Sequence, residues 1–131
     1  MTTVLGAILA GGQGRRFGSN KALATAFGKP LIEHAIDSIS ATAPDLVVCG
    51  RNWPGYVSLA DRPSAGMGPL AGLAAALHHA RVRGISWVLS LACDTPFVEP
   101  EILDELVRRG QPRFLADHPV IGLWPSDAAD H

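Results

Sequence analysis

Three short apolar runs, Val4 to Leu9, Leu46 to Cys49 and Trp87 to Leu91, each stop against residues that break regular structure, with helical patterning in the intervals. An unbroken apolar run of this length is what a strand covered on both faces looks like, and strands covered on both faces belong to parallel sheets sandwiched by helices. The first helical stripe, Leu31, Ile32, Ala35, Ile36 and Ile39, begins at Pro30, and Pro44 lies beyond its end. A second, Leu70, Leu73, Ala74, Leu77 and Ala80, stops at Gly84, and a third opens at Pro100 with Ile102, Leu103, Leu106 and Val107 before Gly110 as its C-cap. Weaker strand signals lie at Tyr56 to Leu59, Arg113 to Ala116 and His118 to Pro125, and neither an internal repeat nor an interdomain linker interrupts the order.

This alternation predicts a single α/β domain, a Rossmann-like three-layer αβα sandwich with a mostly parallel sheet, and 131 residues leave room for one such unit. Functional loops of open α/β sheets lie beyond the C-terminal ends of the strands. After Val4 to Leu9 comes Ala10-Gly11-Gly12-Gln13-Gly14-Arg15-Arg16-Phe17-Gly18-Ser19-Asn20-Lys21. Its glycines let successive backbone N–H groups approach phosphate oxygens, and Arg15, Arg16 and Lys21 add mobile positive charge. A phosphate-binding P-loop would place Gly-Lys-Ser/Thr at a helix start, whereas Lys21 is separated from Gly18 and followed by Ala22. A dinucleotide fingerprint would open its helix inside the glycines, yet the next helix waits until Pro30.

Asp94 follows the Trp87 to Leu91 strand, where a hard carboxylate can hold Mg²⁺ against a triphosphate or simply cap the turn before Pro96. Asp61 opens the irregular stretch to Pro69 and suits either a ribose or base contact or a turn. Gly68 and Gly72 flank the start of the second helix, where the lack of side chains admits a base or serves close helix packing. Adjacent His78 and His79 point apart on a helix, His34 lies on a polar face, and none of these has metal-ligand spacing. Trp124 reads as core packing, and Cys49 and Cys93 as small buried residues at strand ends.

A net charge of −1 confers no global attraction to nucleic acid or anionic lipid, so neither is expected as a partner. Two distant cysteines build neither a zinc site nor a disulfide scaffold. No cation precedes the first apolar run and the twin arginines follow it, the reverse of an export signal; a cytoplasmic protein is expected.

The segment Leu9 to Gly18, with Lys21 three residues on, resembles the signature of nucleotidyltransferases that take a nucleoside monophosphate from an NTP and release pyrophosphate. Together with Gly68-Pro69-Leu70-Ala71-Gly72-Leu73, Asp94-Thr95-Pro96-Phe97 and His118-Pro119-Val120-Ile121-Gly122-Leu123-Trp124, it is most similar to the molybdenum cofactor guanylyltransferase family. The resemblance runs in order from Leu5 to Pro125. It implies GTP and a molybdopterin-type molybdenum cofactor as substrates, Mg²⁺ as cofactor, and other cofactor-biosynthesis or molybdoenzyme-maturation proteins as possible partners. The implied nucleotide-binding residues are Leu9, Ala10, Gly11, Gly12, Gly14, Arg16, Lys21, Cys49, Asp61, Gly68, Gly72 and Asp94, with Lys21, Arg15 and Asp94 catalytic and Asp94 the metal ligand. His118 draws notice only through this family strand and reads as structural.

Members of that family continue well past the Gly-Leu-Trp strand, and the stretch from Arg109 to His118 is short for them, so a truncated nucleotidyltransferase domain or a partial sequence over residues 1–131 is expected. Three alternatives share some of these features: a cytidylyltransferase of the same pterin or a sugar-phosphate nucleotidyltransferase, a non-catalytic nucleotide-binding module, and a dinucleotide-dependent oxidoreductase. The last fails on its glycine spacing.

Overall fold

The computed structural model describes residues 4–10, 25–50, 53–59, 69–92, 100–109, 113–115 and 118–126. Its elements, in chain order, are β1 (Val4–Leu9), β2 (Thr25–Ala26), β3 (Lys29–Pro30), α1 (Leu31–Ser40), β4 (Leu46–Cys49), β5 (Val57–Leu59), α2 (Pro69–Val82), β6 (Trp87–Ala92), α3 (Pro100–Arg109), β7 (Arg113–Leu115) and β8 (His118–Pro125). Six strands form one sheet in the order β5-β4-β1-β6-β8-β7, and β2 pairs with β3 in a separate hairpin. The β5-β4, β4-β1 and β1-β6 pairs are parallel, while β8 runs antiparallel to both β6 and β7. The three-layer α/β expectation therefore holds, with one reversed strand in an otherwise co-directional sheet.

The two faces carry separate cores. On one, Ile32, Ala35, Ile36 and Ile39 of α1 and Leu103 and Leu106 of α3 pack on Ile8, Val48, Leu89, Leu91, Ile121 and Leu123. On the other, Leu73, Ala76, Leu77 and Ala80 of α2 pack on Leu5, Ala7, Leu9, Val47, Cys49 and Val88. Neighbouring strand residues feed opposite faces, which is why these runs are apolar at every position. Ile102 departs from the expected α3 stripe: it is 39% exposed, because Leu103 and Leu106 already fill the groove over the sheet.

Gly6 lies mid-strand for a packing reason. A Cβ there would sit 3.0 Å from Leu46 Cβ, 3.2 Å from Ala43 Cβ and 3.3 Å from Ala43 O. The Gly6 N–H also donates to Asp45 O at 2.8 Å, which pins the α1–β4 turn against β1. Gly6→Ala is expected to destabilise the fold by about 1–2 kcal/mol, read as a lower urea midpoint at unchanged slope.

The hairpin at 25–30 has no counterpart among the sequence expectations. Phe27 (φ 53) and Gly28 (φ 84) both take left-handed backbone, as a two-residue hairpin turn of the primed type demands. Phe27 is 90% exposed, with its ring edge-on to His34.

At the end of the sheet where β1 begins, Arg83 just past α2 pairs with Asp45 at 3.1 Å, and an Arg83 guanidinium nitrogen lies 3.5 Å from His79 Nε2. Burial, and secondarily the Arg83 charge, hold the His79 imidazole below the ordinary histidine range, with Asp45 opposing. The unfolded chain therefore takes up this proton first as pH falls. Stability is expected to decline as pH drops through about 6.5 and to level off below the native value. His79→Gln should flatten that decline in urea titrations between pH 8 and pH 5.

Candidate active site

Strand register builds the floor of the site. Leu9 pairs with Cys49 on one side and Ala92 on the other, and Cys49 pairs with Leu59, so four parallel strands end level in one row. Residues 11–24, 50–56, 60–68 and 93–99 all leave from that row. Helix α2 carries the chain from the end of β5 back to the start of β6, so its first turn at Pro69 lies at the same edge.

Within the row, Leu9, Cys49 and Ala92 are buried and Leu59 packs against the α2-side core. What these positions offer a ligand is backbone. Even that is partly committed: the Ala10 N–H donates to Cys49 O at 2.9 Å and the Gly50 N–H to Leu59 O at 2.8 Å. Gly72 is buried one turn into α2, which meets the requirement of close helix packing as fully as that of a base contact.

Of the expected site residues, Leu9, Ala10, Cys49 and Gly72 are thus brought to one edge of the sheet. Gly11, Gly12, Gly14, Arg15, Arg16, Lys21, Asp61, Gly68 and Asp94 lie outside the described residues, as does Cys93. Each nonetheless follows, or for Gly68 precedes, a chain segment anchored at this edge. Among the described residues no group of three or more His, Cys, Asp and Glu side chains could hold a metal ion. No helix among them is long and apolar enough to cross a membrane.

Two features of this edge escaped the sequence reading. Trp53, beyond β4, is half-buried against the α1-side core, and its backbone N–H donates to Ser58 Oγ at 3.1 Å. The signal was present in Trp53-Pro54-Gly55, a turn that must fold back to start β5. The second is the start of β8. Because β8 is reversed, His118 lies at this edge, while Trp124 lies toward the opposite one, where its Nε1–H donates to the buried Ser90 Oγ at 2.9 Å. The packing role expected for Trp124 holds, since its ring is partly buried on the α2-side core.

Comparison with known proteins agrees with this architecture. The chain is 42% identical over 108 residues to a molybdenum cofactor guanylyltransferase of Pseudomonas putida, an alignment covering 77% of this chain and 55% of the relative. It is 37% identical over 133 residues to the enzyme of the same name from Rhodobacter capsulatus, covering 92% of this chain and 68% of that one. The chain thus spans little more than half the length of the Pseudomonas relative. The crystal structure of molybdopterin-guanine dinucleotide biosynthesis protein A from Archaeoglobus fulgidus superposes with a TM-score of 0.70 at 24% identity, covering 97% of this chain and 69% of that one, and so shares the fold. The model of the MobA-like NTP transferase domain matches residues 6–127, from the middle of β1 to just past β8, and this chain belongs to that family.

Proposed function

We propose that this chain transfers GMP from GTP to a molybdopterin-type molybdenum cofactor, giving the guanine dinucleotide cofactor and pyrophosphate. What carries it is the level row Leu59, Cys49, Leu9 and Ala92, from which the segments bearing Gly11, Gly12, Gly14, Arg15, Arg16, Lys21, Asp61 and Asp94 all depart. The guanylyltransferase names of relatives up to 42% identical supply the base and the acceptor.

In this reading an oxygen of the acceptor's terminal phosphate attacks the α-phosphorus of GTP in line. The bond from that phosphorus to the bridging oxygen breaks, and pyrophosphate leaves with the electron pair. The attacking phosphate is already an anion near neutral pH, so no strong base is required. Gly11, Gly12 and Gly14 offer amide donors, Arg15 and Arg16 hold the β- and γ-phosphates, and Lys21 faces the charge that develops at the α-phosphate. Asp61 meets the ribose or guanine edge, and Gly68 and Gly72 make room for it.

Mg²⁺ characteristically takes one or two carboxylates and completes its shell with phosphate oxygens and water, a demand that Asp94, two residues beyond β6, matches without a three-ligand protein cluster. Asp94 would hold the ion, which would supply positive charge to neutralise the triphosphate. A cytoplasmic setting with reduced Cys49 and Cys93 belongs to the same reading.

The test is pyrophosphate release by the purified chain with GTP, molybdopterin and Mg²⁺, in competition with CTP, UTP and ATP. Guanine-selective release, lowered at least about 10²-fold by Asp94→Asn, is the expected outcome. Equal competition by all four nucleotides would overturn the choice of base, and absence of release with every acceptor would overturn the activity.

A further inference from the structure

Of the four strands that end in the level row, β1, β4 and β6 each have a strand on both sides, whereas β5 has, among the described residues, only β4. It is three residues long, with Val57 opposite Val47, Ser58 opposite Val48 and Leu59 opposite Cys49. Its packing is thin as well: Val57 is exposed, and Leu59 is half-buried on the α2-side core. A strand this short, joined on one side, needs a fastening beyond its ladder.

The Ser58 hydroxyl supplies it. Alternation turns Ser58 to the α1 face of the sheet, away from the side of Val57 and Leu59. There its Oγ accepts from the Trp53 N–H at 3.1 Å and donates to Tyr56 O at 3.4 Å. Trp53 is itself seated against the α1-side core, and its carbonyl accepts from the Tyr56 N–H at 3.3 Å. At the far end of the strand the Gly50 N–H donates to Leu59 O at 2.8 Å. One side chain thus ties the connection after β4 to the strand that leaves it.

Asp61 follows Leu59 by two residues, so no more than about 7 Å of backbone separates them. The place of the aspartate is inherited from that of β5. The glycine-rich segment and Asp94, by contrast, follow β1 and β6, which are paired on both edges. We propose that Ser58 is a positioning residue for the nucleoside end of the nucleotide, bracing β5 through Trp53 so that Asp61 meets the ribose or base from a fixed place. This rests on the nucleotide reading above. Orienting one contact group in advance removes an ordering cost otherwise met on binding, and phosphates gripped by the segments after β1 and β6 do not feel it.

The test is equilibrium titration of the full chain with GTP and, separately, with inorganic triphosphate, which has neither ribose nor base. The variants are Ser58→Ala, Ser58→Thr, Asp61→Ala, the double variant Ser58→Ala with Asp61→Ala, and Val57→Ala. Ser58→Ala is expected to weaken GTP binding about three- to tenfold and to leave triphosphate binding unchanged, and Ser58→Thr, which keeps the hydroxyl, should restore it. The double variant should lose no more than Asp61→Ala alone, because the brace acts through the aspartate. Val57→Ala trims the same strand without touching the hydroxyl and should bind GTP as wild type does. Unchanged GTP affinity in Ser58→Ala, an equal loss for triphosphate, additive losses in the double variant, or the same loss in Val57→Ala would each overturn the proposal. Wild type and Ser58→Ala binding GTP equally well would spare the nucleotide reading, whereas a wild type that does not bind GTP would remove both.

Discussion

Lys21→Ala is expected to lower guanine-dependent pyrophosphate release by about 10²- to 10³-fold, the usual consequence of deleting one preorganised charge at a transition state. The substitution falls in the segment that follows β1, past Ala10, the residue after that strand, whose N–H donates to Cys49 O. The described core clusters on both faces are built from other residues, and the melting temperature is expected to be unchanged. GTP affinity should fall less than turnover, because in the proposed reaction the lysine faces charge that grows only as the bridging bond breaks. Wild-type turnover in a folded Lys21→Ala protein would remove the lysine from the mechanism. Loss of turnover matched by an equal loss of GTP affinity would make it a ground-state binding residue only.

Leu89→Ala is expected to cost about 3 kcal/mol of stability and to lower the melting temperature by roughly 10 °C. Leu89 is fully buried in the central strand β6, opposite Gly6 on β1 and Leu123 on β8, and it belongs to the cluster shared by α1 and α3. Two helices and two strands converge on it, so the cavity has little freedom to collapse. Val82→Ala, at a position 72% exposed, is the control and should shift the midpoint by less than about 0.5 kcal/mol. Similar losses for the two would mean that the layers do not close over β6 as described.

The strands β1, β4 and β6 and the helices α1 and α2 were readable in advance because their signals are local: unbroken apolar runs bounded by breakers, or apolar residues three and four apart. The ends of β1 and β4 were readable for the same reason, since a run that stops against glycines declares where its strand ends; that Leu59 and Ala92 end level with Leu9 and Cys49 is revealed only by pairing. The direction of β8 was not, because side-chain alternation is identical in parallel and antiparallel strands; only pairing with β6 reveals that His118 and not Pro125 lies at the working edge. The hairpin at 25–30 escaped because its strands are two residues long and its turn puts Phe27 where Asn or Gly is the usual sign. The commitment of the Ala10 amide to Cys49 likewise depends on a partner almost forty residues away, which no window along the chain contains.

The sheet order also bears on how the molecule comes into being. Strand β1 is made first, yet it occupies the middle of the sheet and its whole length pairs with β6, Val4 opposite Trp87 and Leu9 opposite Ala92. A ribosome must add about eighty residues after Val4 before its partner Trp87 emerges, and until then an apolar strand with two unsatisfied edges has only β4 for shelter. Such long-range closure makes for slow folding and a sticky nascent state, so yield in a cell should respond to synthesis rate and chaperone supply more than the finished protein's equilibrium stability suggests.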